Sequence, residues 1–90
     1  MAFLKNVCYY LGEVVRMNTY NVNVAFGDVL RRFREGRGFS QEEFAELCQI
    51  SRAYYGRIER GEHSITIEKC HKIATALNVR IADLFDEMPE

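Results

Sequence analysis

No apolar run in this 90-residue chain approaches the roughly 20 residues that cross a bilayer, so no membrane-spanning helix is expected. An excess of one charge sign is also missing. Twelve Lys and Arg stand against 13 Asp and Glu, a net charge of −1, which argues against a protein that coats nucleic acid by charge alone. Cysteine is sparse: Cys8, Cys48 and Cys70 make an odd number without a C-x-x-C spacing. A disulfide framework is therefore not expected, and a reducing, cytoplasmic setting is. The amino terminus offers only Lys5 before its apolar part, and Glu13 and Arg16 interrupt that part, so a signal peptide is not expected either.

The chemistry of catalysis is equally thin. Neither a nucleophile motif nor a glycine-rich phosphate loop is present, so no catalytic residue, no cofactor and no enzymatic activity are expected. His63, Cys70 and His71 invite a metal hypothesis. Cys70 and His71, however, are neighbours on a helical stretch and diverge by about 100 degrees, while His63 falls in a different element. No metal is expected. Cys48 and Cys70 occupy apolar helix positions and read as small core residues.

What is present is one compact domain's worth of helix signals. Hydrophobic residues make up 48% of the chain and charged residues 28%, which leaves no room for a second domain at this length. Phe3, Leu4, Val7, Cys8, Leu11, Val14 and Val15 recur at spacings of three and four, a stripe that predicts an amphipathic helix over 3–15, weakened by Gly12. Residues 18–24, NTYNVNV, alternate instead and read as a short strand or an extended connector. Met17 stands just before that connector, so translation could begin there, and the first sixteen residues are expected to be an addition to the core domain.

From about Asn23 the pattern is helical again. Phe26, Val29, Leu30 and Phe33 line one face, and Gly36-Arg37-Gly38 closes the run. Ser40 with Glu43 three residues on is a capping box that opens a second helix carrying Phe44, Ala45 and Cys48. Gln49-Ile50 interrupts it. Ser51 then caps a third helix with Tyr55 and Ile58 inward and Gly61 at its end. Thr66 caps a fourth, with Ile67, Cys70, Ile73, Ala74 and Leu77 inward and Asn78 suited to the left-handed closing conformation. Ile81, Leu84, Phe85 and Met88 predict a short fifth helix before Pro89. The result is an all-α, five-helix bundle over 24–86, with an N-terminal extension over 1–23, helical or extended and a candidate dimerisation segment, and a tail over 87–90.

Cap, short helix, tight turn, cap and second helix, over residues 40–61, is the layout of a DNA-reading helix-turn-helix. The charges suit it. Arg31, Arg32, Arg34, Arg37, Arg52, Arg57 and Arg60 crowd the middle of the chain, whereas acids outweigh bases beyond Gly61. Arginine favours forked contacts to phosphate and guanine. Of Arg31, Arg32 and Arg37, one is expected to touch phosphate and the others to shape the field. Gly56 lies inside the third helix, where Ala is favoured by about 1 kcal/mol. Close approach to DNA and an absence of any role both remain open for it.

Three segments, FGDVLRRFREGRGFSQEEFA, ISRAYYGRIERG and TIEKCHKIATALNVRIADLF, together resemble the Xre/Cro family of helix-turn-helix regulators, phage repressors and restriction-modification controllers among them. The resemblance implies a lambda-repressor-like fold and double-stranded DNA as partner. It implies base reading by Ser51, Arg52, Ala53 and Arg57, with phosphate contacts from Ser40, Gln41, Tyr54, Arg60 and Arg34. Arg34 and Glu59 match a pair that the family joins as a salt bridge between its first and third helices. Ile81, Leu84 and Phe85 fall where the family often dimerises, so a homodimer on a pseudo-palindromic operator is implied, with repression as its outcome. Gln49 departs from the family's usual turn glycine, at a cost on the order of 1 kcal/mol. An antitoxin or adaptor that holds a protein partner with the same fold is the alternative, favoured by the N-terminal stripe and the acidic far end.

Overall fold

The computed structural model describes residues 2–4, 7–10, 13–16 and 21–89. Residues 21–89 hold five helices joined by short turns and loops: α1 Val22–Gly36, α2 Gln41–Cys48, α3 Arg52–Glu59, α4 Ile67–Leu77 and α5 Ile81–Asp86. Ahead of them lie three short strands, β1 Ala2–Leu4, β2 Val7–Tyr10 and β3 Glu13–Arg16, in an antiparallel sheet of order β1-β2-β3. Phe3 is paired with Cys8, and Cys8 with Val15. Where it is described, the stretch over 3–15 is therefore extended and not the predicted amphipathic helix; residues 5, 6, 11 and 12 of that prediction lie outside the described residues. Apolar residues at spacings of three and four also occur in successive short strands, and Val7–Tyr10 and Val14-Val15 are rich in β-branched and aromatic types.

The second correction concerns 18–24. Asn21 is not in a strand; its side-chain Oδ1 accepts from the amides of Asn23 at 3.0 Å and Val24 at 3.1 Å, and α1 starts at Val22. A cap residue outranks a four-residue alternation because it satisfies donors that a helix start would otherwise leave bare. Asn18–Tyr20 of that prediction lie outside the described residues.

The other caps are where the sequence places them. Ser40 and Glu43 exchange both bonds of a capping box, at 3.0 and 2.9 Å. Ser51 Oγ accepts from Tyr54 N at 3.1 Å and Thr66 Oγ1 from Lys69 N at 3.2 Å. Gln49 and Asn78 close α2 and α4 in the left-handed region, with φ of 61° and 60°. The core gathers Phe26, Leu30, Phe44, Tyr55, Ile58, Ile73, Leu77 and Leu84 between all five helices. Cys48 and Cys70 are buried within it, and burial pushes the Cys48 thiol up to about 11. A long-range tie and a local ring contact, both from Arg37, complete the packing. Arg37 Nε donates to the Leu77 carbonyl at 3.1 Å, and its guanidinium lies over the Phe33 ring at 5.5 Å.

α1 crosses α3 at Gly27, where a Cβ would fall onto the backbone carbonyls of Ile58 and Glu59. Alanine there would gain about 1 kcal/mol of helix propensity. Two rigid carbonyls cannot yield that space, so the collision decides the sign. Gly27→Ala is expected to lower stability by about 3 kcal/mol, read as a shifted urea midpoint. A midpoint at or above that of the wild type would show that the two helices separate freely.

Candidate nucleic-acid interface

Ser51, Arg52, Ala53 and Arg57 are all exposed along one side of α3. The local reason is the cap: Ser51 fixes the start of α3, and Tyr55 and Ile58 then turn into the core, which leaves Arg52, Ala53 and Arg57 on the outer side. Together with Gln41, Gly56 and Arg60, the residues Arg52, Ala53 and Arg57 line a concavity of about 340 Å³. Three guanidinium groups and no carboxylate are on its walls. Arg52 and Arg57 have no ion-pair partner among the described residues.

What holds this face in place is buried beneath it. Arg34 Nε donates to Glu59 Oε2 at 2.6 Å, Nη2 to Glu59 Oε1 at 3.1 Å and Nη1 to the Phe39 carbonyl at 2.6 Å. Gln41 Nε2 donates to the same Glu59 Oε1 at 2.8 Å. One carboxylate thus ties α1, the first residue of α2 and the end of α3. Burial alone would raise the Glu59 carboxyl, but the Arg34 and Gln41 hydrogen bonds, with the Tyr55 hydroxyl nearby, hold it below its usual range. Tyr55 Oη is buried without a well-formed hydrogen bond; burial first, and the neighbouring Glu59 charge second, push its pKa up.

The Arg34–Glu59 pair implied by the resemblance is therefore present. The phosphate contact expected of Arg34 does not fit, because its side chain is only 8% exposed and its guanidinium is engaged inside the bundle. Gln41 braces α3 through Glu59. Ser40 is exposed at the start of α2, with its own amide occupied by Glu43. Tyr54 is half-buried and turned toward the next loop: it stacks on His63 with ring centroids 5.8 Å apart, and Lys69 Nζ sits 5.3 Å from its ring centre. Arg60 is exposed and forked onto Glu62, Nε to Oε2 at 2.8 Å and Nη2 to Oε1 at 3.3 Å.

The remaining arginines are spent elsewhere. Arg31 and Arg32 both pair with Asp28, Arg32 at 3.0 Å, and Arg37 is the α4 tie described above. That structural task of Arg37 was not read from the sequence, since nothing local points across 40 residues to Leu77. Of the three residues assigned to a dimer surface, Leu84 is corrected to the monomer core at 0% exposure. Ile81 is half-buried against that core, while Phe85 is 44% exposed and packs on Phe26 at 5.2 Å.

A rigid two-helix unit with an arginine-lined outer face defines a DNA-binding helix-turn-helix protein. Comparison with known proteins agrees: residues 30–84 match the helix-turn-helix family, and the chain belongs to it. The control protein C.BamHI of Bacillus amyloliquefaciens is 36% identical over 69 residues, covering 76% of this chain and 85% of that protein. The crystal structure of the restriction-modification controller C.AhdI from Aeromonas hydrophila superposes with a TM-score of 0.71 at 39% identity, over 73% of this chain and all of that one. The biofilm regulator SinR, solved in complex with DNA, gives a TM-score of 0.65 at 27% identity, over 68% and 98% of the two chains. The protein is accordingly a DNA-binding transcriptional regulator of the Xre type, and the proteins it resembles are regulators rather than enzymes.

Removing the Glu59 charge would leave Arg34 buried and uncompensated. Glu59→Gln is expected to cost about 3–5 kcal/mol. The carboxyl's folded pKa lies below its ordinary 4.5, so its contribution is in place above that pH and is lost as pH falls through the folded value. Urea midpoints taken from about pH 6 to about pH 3 should therefore fall more steeply for wild type than for Glu59→Gln. Parallel curves would refute the pairing as a source of acid sensitivity.

Proposed function

We propose that the protein binds a pseudo-palindromic operator as a homodimer and represses transcription by occupying it, in the cytoplasm. The observation that carries the reading is the α3 face: three guanidinium groups around one concavity, mounted on a helix that a buried ion pair locks to the rest of the bundle. Ser51, Arg52, Ala53 and Arg57 meet base edges in the major groove. Arg52 supplies the forked geometry that matches guanine O6 and N7, and Ala53 meets a thymine methyl. Arg60 and the cap at Ser40 meet the sugar–phosphate backbone, while Gln41 braces the reading helix through Glu59.

The dimer rests on an apolar surface shared by α1 and α5. Phe85 and Val22 are 44% and 54% exposed, and Val22 lies one turn before Phe26, the partner of Phe85, on α1. Half-buried Ile81, packed on the core, opens the same helix α5 that carries Phe85. A two-fold pairing through this patch sets the two α3 helices to half-sites about 34 Å apart on one side of the duplex.

Selection of bound sequences from random duplex DNA is expected to enrich an inverted repeat whose half-sites are about 10 base pairs apart. On that duplex Arg52→Ala should weaken binding by about 1–3 kcal/mol and relax one base position. Arg60→Ala should weaken all sequences alike and flatten the salt dependence by about one phosphate. No enrichment at moderate ionic strength sinks the operator reading, and equal, sequence-blind losses in both variants sink the division between base and backbone contacts.

A further inference from the structure

Gly56 breaks a local rule without a packing reason. It is buried in the middle of α3, yet a Cβ built on it would meet only side-chain atoms: Arg60 Nη1 at 3.2 Å, Gln41 Oε1 at 3.7 Å and Arg60 Cζ at 4.0 Å. Gly27, by contrast, faces backbone carbonyls across a helix crossing. The room at Gly56 is room for the Arg60 guanidinium. That group is gripped on its Nε and Nη2 edge by Glu62, and its remaining nitrogen, Nη1, lies back along α3 at the rim of the concavity shared with Arg52 and Arg57. The Glu62 fork fixes two of three nitrogens, and the bare Cα of Gly56 admits the third.

We propose that Gly56 is a positioning residue that acts through Arg60: its missing Cβ, with Glu62 on the opposite edge, seats the Arg60 guanidinium as a preformed anchor for one phosphodiester of the DNA backbone. The proposal rests on the α3 face being the DNA interface. An anion is the chemistry that fits, because the concavity is walled by arginines and Gln41. The Gln41 amide nitrogen is committed to Glu59, so its outward oxygen is an acceptor for a guanidinium N–H and not for the phosphate. A preordered anchor loses less side-chain freedom on binding than an arginine that must be collected from solvent. Helix propensity is given up at this position for the sake of that order.

The test is a cycle of four proteins, wild type, Gly56→Ala, Arg60→Ala and the double variant, on the duplex enriched by selection. Gly56→Ala should melt higher, by about 4–8 °C, because it gains helix propensity and displaces only a flexible side-chain end. It should nevertheless bind about tenfold more weakly, with a salt slope reduced by about one. In the Arg60→Ala background the Gly56 substitution should change affinity by less than about twofold. Wild-type affinity in Gly56→Ala, or a tenfold loss that persists without Arg60, overturns the proposal. So does a lower melting temperature, which would make Gly56 a packing residue. If wild type itself binds no duplex, it is the DNA interface that fails, and the seat with it.

Discussion

The structure depends on one carboxylate. Glu59 is buried at the end of α3 and receives Arg34 from α1 and Gln41 from α2, so three helices share a single charged hinge pin. Such pairs contribute little net stability in general, since desolvation offsets most of the attraction. What this one supplies is registration. A guanidinium fork donates to its carboxylate in one plane, and Gln41 then fixes how α2 lies against α3. The Gly27 crossing brings α1 within backbone contact of α3 on the same side, so the pair cannot slide. A reading helix needs that rigidity, because base edges are distinguished at hydrogen-bond distances.

Around the pin the chain is punctuated by short polar caps rather than by long helices. α2 and α3 have eight residues each, too few to be stable alone in water, and each is started by a serine. The turn between them asks Gln49 for a positive φ, tolerated because its amide and the next close the α2 carbonyls. The aromatic contacts Phe39–Phe44 and Phe44–Tyr55, with centroids 5.7 and 5.4 Å apart, pack the inner side of the same turn. Local signals and tertiary contacts thus agree over residues 40–61, which is why that stretch was the most legible part of the chain.

Legibility followed the range of the interaction. Caps at Ser40, Ser51 and Thr66 and the left-handed Asn78 are decided within four residues, and all were readable. The apolar faces of α1 and α4 were readable from period, except that Ile67, expected inward, is 70% exposed in the first turn of α4, where no neighbouring helix covers it. Spacing does not tell a core residue from a surface one on a helix of six residues, so Leu84 and Phe85 were grouped together although one is enclosed and the other open. Nor does it tell which arginine is internal: Arg34 was assigned to phosphate as well as to Glu59, and Arg37 was not assigned to Leu77 at all. No local signal marks Gly27 as a contact residue; only α3 packed against it does. The segment over 3–15 failed for another reason, since its apolar spacing serves helix and strand alike.

The pairing of Arg31 and Arg32 with Asp28 has a consequence for how the protein finds its target. Two of the seven central arginines are already neutralised by their own helix, and a third is tied to a carbonyl of α4. The molecule as a whole carries a charge of −1. Its attraction for arbitrary duplex is therefore confined to the small arginine patch on α3, and the chromosome, with its vast excess of wrong sites, competes weakly for it. A small general attraction of this kind leaves a larger share of the molecules unbound by arbitrary sequence.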